Sequence, residues 1–275
     1  MNVPEGLGGR PLTEAEIIHE IRSRGPALVA LSGGVDSAVV AALARSALGD
    51  ALVAATVVSG SVSSREVASA RDVADRLGLR HLEVGAEPLE DLQYRANGPD
   101  RCFRCRSVES RALREAGESA RVAQYLDGIH RDDLGDDRPG IRAMDAAGFL
   151  HPLLWAGWGK IAVRRYAQAA GLPNWDRPSN ACLASRVARG EEISGALLER
   201  IERAEGILYD RGFRQVRVRV RGGTARIEVD REGTPRLLEG ELREEVTARI
   251  RALGFTDVTI DPNGYRSREQ LPVVR

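Results

Sequence analysis

The sequence predicts an α/β protein, in which a doubly wound parallel sheet is followed by a smaller α+β domain. Three observations carry that expectation. As far as residue 127, short apolar runs alternate with stretches of helical period, the pattern of parallel strands joined by crossover helices. From 171 to 193 the texture changes to "GLPNWDRPSNACLASRVARGEE", with two prolines and little periodicity, as in a connection between domains. Beyond it, "QVRVRV" and "TARIEV" alternate apolar and polar residues strictly, the period of half-buried strands.

Taken in order, "PALVALS" reads as a short buried strand, "DSAVVAALARSAL" as a helix and "ALVAATVVSG" as a second strand. "SSREVASARDVADRLGL" has an amphipathic helical period that stops at Gly78, and "RHLEVG" follows as a third strand. After a cysteine pair at 102 and 105, "SVESRALREAGE" reads as helix, and "RVAQYLDG" as a strand that delivers the acidic loop "DGIHRDDLGDDRPG". In the last third, "SGALLERIERAEGILYDRG" and "PRLLEGELREEVTARIRALG" are helical and "DVTID" is a final strand. The expected domains are 1–170, an interdomain active-site segment 171–193, and 194–275.

Composition narrows the function classes. Of 275 residues, 43% are hydrophobic and 29% charged, and the longest apolar runs, such as "ALVAATVV" at 51–58, are far too short to span a bilayer. No membrane partner is expected. The N-terminus lacks the succession of a secretion signal, so the expectation is a cytoplasmic protein with reduced thiols. Forty basic residues balance forty acidic ones, leaving no overall positive field for a polyanion, so no nucleic-acid partner is expected either. Three cysteines do not suit a disulfide framework, and the spacing of "CFRC" points to metal or redox chemistry.

The most informative stretch is "LVALSGGVDSAVV", residues 28–40. A buried strand that breaks into glycines before a helix supplies what a phosphate group needs. Glycines let the backbone approach, and free amides at the helix start point at the anion. Ser32, Gly33, Gly34, Asp36 and Ser37 form the candidate site. The lysine of the common G-x-x-x-x-G-K-S/T loop is missing. The loop resembles the SGGxDS PP-loop of ATP pyrophosphatases, which cleave ATP to AMP and pyrophosphate and so adenylate a substrate; the alternative is an ordinary glycine turn. Asp127 and Gly128 end a parallel strand, where ligands collect. Asp132 and Asp133 are candidates to position Mg²⁺ on the triphosphate, whereas Asp136 and Asp137 read as solvated.

Cys102 and Cys105 supply two ligands for one metal centre, with Cys182 a possible third, and three thiolates would leave an open position as in a 4Fe-4S cluster. The alternative is a buried or redox pair with an unrelated thiol at 182. "SGGVDS", "RCFRC", "DGIHRDDLGDDRPG", "HPLLWAGWGK", "LPNWDRPSNACLASR", "VRVRVRGGTARIEV" and "GFTDVTIDPNGYRS" together resemble the LarE family of ATP-dependent sulfur transferases, in order and over nearly the whole chain. That resemblance implies ATP-dependent adenylation and then sulfuration of the carboxylates of pyridinium-3,5-biscarboxylic acid mononucleotide, a step toward the nickel-pincer nucleotide cofactor of lactate racemase. It implies a homo-oligomer whose residues 194–275 bind substrate and form the assembly.

Family members differ in sulfur source. Single-cysteine members surrender the sulfur of that cysteine, which becomes dehydroalanine, whereas three-cysteine members hold a 4Fe-4S cluster that carries the transferred sulfide. The sacrificial cysteine of the first kind stands five residues before the arginine of an "SR" pair, a place held here by Ala181, with Cys182 four before Arg186. This departure favours a cluster on Cys102, Cys105 and Cys182.

The resemblance further assigns Ser185 and Arg186 to the active site, Arg217 and Arg219 to phosphate, and Glu228 to the neighbourhood of substrate or metal. Read from pattern alone, Arg217 and Arg219 also fit a solvated strand face, and Glu228 an exposed carboxylate. "GIHRDD" departs from the family's "GTNADD", which puts nucleotide contacts through Ile129 and His130 in question. Lys160 could reach phosphate but reads rather as a solvated lysine at a helix start, and Trp155, Trp158 and Trp175 read as core or interface residues. A tRNA thiolase and a non-catalytic nucleotide-binding module are the rival functions.

Overall fold

The computed structural model describes residues 10–134 and 139–266, so Asp136 and Asp137 lie outside the described residues. The described chain forms two compact units. The first runs to Tyr94 and resumes over Pro99–Asn180, and the second joins Arg95–Gly98 to the chain from Ala181 onward.

The first unit is a five-stranded sheet in the order β3-β2-β1-β4-β5, with every pair parallel. Its strands are β1 (Ala27–Ala30), β2 (Leu52–Val58), β3 (Arg80–Gly85), β4 (Gln124–Leu126) and β5 (Phe149–Leu150). The helices are α1 (Glu14–Ser23), α2 (Val35–Leu48), α3 (Ser64–Leu77), a short α4 (Leu92–Arg95) at the unit boundary, α5 (Arg101–Ser119), α6 (Pro139–Ala146), α7 (Pro152–Trp155) and α8 (Lys160–Ala169). The all-apolar "ALVA" of β1 follows from burial on both faces. Ala27 and Val29 join a core with Ile17 and Ile21 of α1, Leu43 of α2 and Val163 of α8, while the alternate residue Leu28 joins Leu113, Tyr125, Met144 and Phe149 on the other face.

Chain order runs outward from β1 to β2 and β3, then returns to place β4 on the other side of β1. The crevice beyond the carboxyl ends of β1 and β4 is therefore the switch point at which open α/β sheets bind ligands. "SGGVDS" leaves β1 there, and "DGIHRDD" leaves β4.

One reading is refined, and one helix is added that the sequence pattern did not supply. α5 begins at Arg101 and takes the cysteine pair into its first two turns, where the sequence pattern places helix only after it. α1 carries a capping box, Thr13 accepting from Glu16 N while Glu16 returns to Thr13 N, a local signal that "TEAE" displays.

The second unit is a three-stranded sheet, β6 (Val216–Arg221), β7 (Thr224–Val229) and β8 (Asp257–Ile260), with α9 (Gly195–Tyr209), α10 (Thr234–Leu238) and α11 (Gly240–Arg251). β6 and β7 form an antiparallel hairpin closed by Gly222 and Gly223, whose φ values of 54° and 80° suit a two-residue turn that only glycine enters easily. Leu198, Ile201, Leu208, Val218, Ile227, Val246 and Ile250 make its core. Residues 171–180 belong to the first unit and 181–193 to the second, with only one short 3-10 turn, Leu183–Arg186, among them.

Candidate active site

The glycine loop is ordered from within and from outside. Ser37 Oγ donates to Gly34 O at 3.0 Å and accepts from Ser32 N at 3.1 Å, and the Ser32 and Ser37 hydroxyls are 3.1 Å apart. Gly33 has φ 80°, and a Cβ there would lie 2.2 Å from the carbonyl oxygen of Glu66, so neither the conformation nor the space admits a side chain. Gly34 caps α2 in extended conformation without a side-chain hydrogen bond, leaving the first-turn amides open to an anion. The loop after β4 comes against this turn, since a Cβ on Gly128 would lie 2.6 Å from Ser37 N.

Around the loop lie charged groups. Lys160 Nζ donates to both oxygens of Asp36, at 2.9 and 2.7 Å, and Lys160 N donates to Asp132 Oδ2 at 2.7 Å. The lysine is thus bound to the loop's own acid, which corrects the solvated reading. That amide bond leads the effects that lower the Asp132 pKa. His130 Nε2 stands 3.7 Å from Asp36 Oδ1. Asp127 is buried and its Oδ1 is 2.7 Å from His151 Nδ1, while His151 Nε2 is 3.0 Å from Asp145. Burial opposes charge on His151, but the hydrogen bonds and charges of Asp127 and Asp145 outweigh it and raise the pKa. Asp127 Oδ2 is buried with no hydrogen-bond partner among the described residues, an acceptor left for a ligand. His151 is missed by sequence pattern because its partners are 24 and 6 residues away.

On α5, Cys105 is buried and donates to Glu109 Oε1 at 3.3 Å, and Arg101 Nη2 donates to Cys102 Sγ at 3.7 Å. All three cysteines are free thiols. Among the described residues no group of three or more His, Cys, Asp or Glu side chains is gathered as for a metal ion.

In the second unit Cys182 is exposed and precedes the 3-10 turn that carries Ser185 and Arg186. Ser185 Oγ donates to Cys182 O at 2.7 Å. Arg186, 1% exposed, donates to both oxygens of Glu205, at 2.8 and 3.0 Å, and to Cys182 O at 3.0 Å. Glu205 Oε1 also accepts from Val218 N at 3.0 Å, tying the turn to β6. Burial works against the Arg186 charge, yet Glu205 and then the neighbouring Cys182 thiol group raise its pKa.

Arg217 is buried and lies over the Tyr265 ring at 5.0 Å, and burial followed by the charge of Arg186 lowers its pKa. This corrects the solvated-face alternative for Arg217. Arg219 keeps 38% side-chain exposure and donates to both oxygens of Glu228, at 2.8 and 2.9 Å. Glu228 is not the exposed carboxylate that the pattern allowed: it is 5% exposed and also accepts from Arg226 at 2.8 Å. Trp155 is in the core, and Trp175 is exposed.

The fold and this loop define a PP-loop protein, an ATP-using class, and the asparagine synthase family matches residues 10–97. The chain is 38% identical over 241 residues to an uncharacterized protein of Synechocystis, covering 88% of this chain and 90% of that one. It is 30% identical over 258 residues to the pyridinium-3,5-bisthiocarboxylic acid mononucleotide synthase of Lactiplantibacillus plantarum, covering 92% of each. An uncharacterized protein of Methanocaldococcus jannaschii is 29% identical over 171 residues, 62% of this chain and 66% of that one. The chain belongs to the LarE family of PP-loop proteins. No helix among the described residues is long and apolar enough to cross a membrane.

Proposed function

We propose that this protein is an ATP-dependent sulfur transferase that adenylates and then sulfurates the carboxylates of pyridinium-3,5-biscarboxylic acid mononucleotide, in nickel-pincer nucleotide cofactor biosynthesis. The observation that carries the reading is the likeness to the named synthase over 92% of both chains, a span that includes the glycine loop and the Cys182 segment.

Carboxylate oxygen is a poor leaving group; its attack on the α-phosphorus of ATP breaks the α–β phosphoanhydride bond, releases pyrophosphate and makes AMP a good one. Ser32, Gly33, Gly34 and Ser37 hold the departing pyrophosphate, with the α2 amides opposing the charge that develops on it. Asp36, Asp127, Gly128 and Asp132 complete the ATP site at the switch point, and Mg²⁺ is held there by Asp132 with Asp133. Arg217 and Arg219 take the phosphate of the mononucleotide. Burial, followed by the charge of Arg186, lowers the Arg217 pKa, and a bound phosphate would oppose that lowering. Ser185, Arg186 and Glu228 orient the acyl adenylate for attack by sulfur.

For the sulfur source, we read the three free thiols of Cys102, Cys105 and Cys182 as the ligands of a 4Fe-4S cluster. When bound, the cluster supplies sulfide as the nucleophile. A second reading rests on the exposure of Cys182 beside Arg186: its own thiolate attacks the acyl carbon and displaces AMP. A base then takes the Cys182 Cα proton and the Cβ–S electron pair leaves with sulfur, giving dehydroalanine and a thiocarboxylate.

The test is anaerobic incubation with ATP, Mg²⁺, sulfide and the pyridinium mononucleotide, followed by mass spectrometry of small molecule and protein. Repeated thiocarboxylate formation by intact protein supports the cluster reading. One turnover with loss of H₂S from the chain supports the sacrificial one, and no pyrophosphate release overturns both.

A further inference from the structure

The carbonyl oxygen of Gly33 is gripped from outside the loop. Ser69 Oγ of α3 donates to it at 2.9 Å, Asn174 Nδ2 at 2.9 Å and Arg177 Nη1, more weakly, at 3.4 Å. The last two come from the aperiodic stretch that the sequence pattern presents as a connection. That stretch is itself tied down. Arg164 of α8 donates to Trp175 O at 2.8 Å and Arg177 O at 2.7 Å, and Glu66 Oε1 accepts from Arg177 Nη2 at 2.9 Å and Asn180 Nδ2 at 3.1 Å.

Gly33–Gly34 is the peptide that most needs such a grip. Two glycines in sequence leave the peptide plane free to rotate, because no Cβ opposes the flip. In a trans peptide the C=O and N–H point to opposite sides, so donors that fix the Gly33 oxygen also fix the direction of the Gly34 N–H, away from α3 and Asn174. An anion bound at the start of α2 needs that amide already aimed at it, since a donor that must first rotate loses much of its value.

Asn174 also gives up stability for this contact. It is 1% exposed, and its Oδ1 is buried with no hydrogen-bond partner among the described residues. A side chain kept only for packing would avoid that orphaned oxygen. We infer that Asn174 and Arg177 are positioning residues of the glycine loop, holding the Gly33–Gly34 peptide in the orientation that binds a diphosphate group. The inference rests on the reading of the loop as the ATP site and adds the residues that preorganise it.

Titration calorimetry of the full chain with magnesium pyrophosphate tests it, on wild type, Asn174→Ala, Asn174→Asp, Arg177→Met and Arg177→Lys, with thermal unfolding of each. Loss of one oriented donor is expected to weaken pyrophosphate by about tenfold in Asn174→Ala. Asn174→Asp is expected to weaken it further, because a carboxylate repels the Gly33 carbonyl. Arg177→Lys is expected to bind more tightly than Arg177→Met, the donor being restored. The unfolding temperature of Asn174→Ala is expected to stay at or above that of wild type, which a merely structural asparagine would not allow. Folded variants that bind pyrophosphate as wild type does overturn the inference while leaving the ATP site standing. A wild type that binds no pyrophosphate overturns the reading of the loop itself, and the inference with it.

Discussion

At the scale of single residues, the described part of the second unit holds two buried arginines, Arg186 and Arg217, and the surroundings of each decide its cost. Arg186 has both oxygens of Glu205, itself buried. Removing one member of such a pair leaves an uncompensated buried charge, so Glu205→Ala is expected to cost about 3–5 kcal/mol in urea unfolding. The double change Arg186→Met with Glu205→Leu is expected to recover part of that loss, because it removes the uncompensated charge while still leaving Val218 N without its acceptor. Equal loss in the single and double variants would contradict this account. The "SR" pair flags Arg186 in the sequence, but nothing flags Glu205, which stands 19 residues away on α9. Lys160 is misread for the same reason, its partner Asp36 being 124 residues distant. Local pattern reports residue type, whereas charge pairing is a property of the folded neighbourhood.

At the scale of elements, the glycine loop was legible because its demands are local: a strand end, a left-handed residue and an uncapped helix start. Gly33→Ala meets both a φ of 80° and the Glu66 carbonyl, and is expected to abolish pyrophosphate binding or to unfold the loop. Circular dichroism beside calorimetry separates those outcomes, and undiminished binding would contradict the loop geometry. The His151 bridge, between the ends of β4 and α6, was not legible, since its three members come from separate segments. It predicts a pH dependence of definite sign. A folded pKa raised above the unfolded value of about 6.5 gives a stabilisation complete below that pH and lost as pH rises through the folded value. The difference in urea midpoint between wild type and His151→Gln is therefore expected to shrink as pH rises above about 6.5. A difference independent of pH, or one that grows with it, would contradict the charge assigned to His151.

At the scale of the whole chain, the parallel sheet and the small α+β unit were both readable from the two periodicities, 3.6 in the helices and 2 in β6 and β7. The short β5 was not, because two residues carry no period. Within the aperiodic stretch, residues 174–180 concealed most, since Asn174, Arg177 and Asn180 are fixed by side-chain bonds to the loop and to α3 that leave no repeat in the sequence. For the cysteines, anaerobically reconstituted wild type is expected to hold about four irons per chain with acid-labile sulfide, the content of one 4Fe-4S cluster. Cys102→Ala, Cys105→Ala and Cys182→Ala are each expected to lose it while pyrophosphate release survives. Iron retained in all three variants would exclude these ligands.

In the proposed reaction ATP activates a carboxylate of a pyridinium mononucleotide for attack by sulfur. Its most direct test is pyrophosphate release by anaerobic protein with ATP and Mg²⁺, with and without that mononucleotide, together with the mass of the recovered pyridinium compound. Release that depends on the mononucleotide, with oxygen exchanged for sulfur in its carboxylates, is the predicted result. Release without it, or none with it, would contradict the assignment.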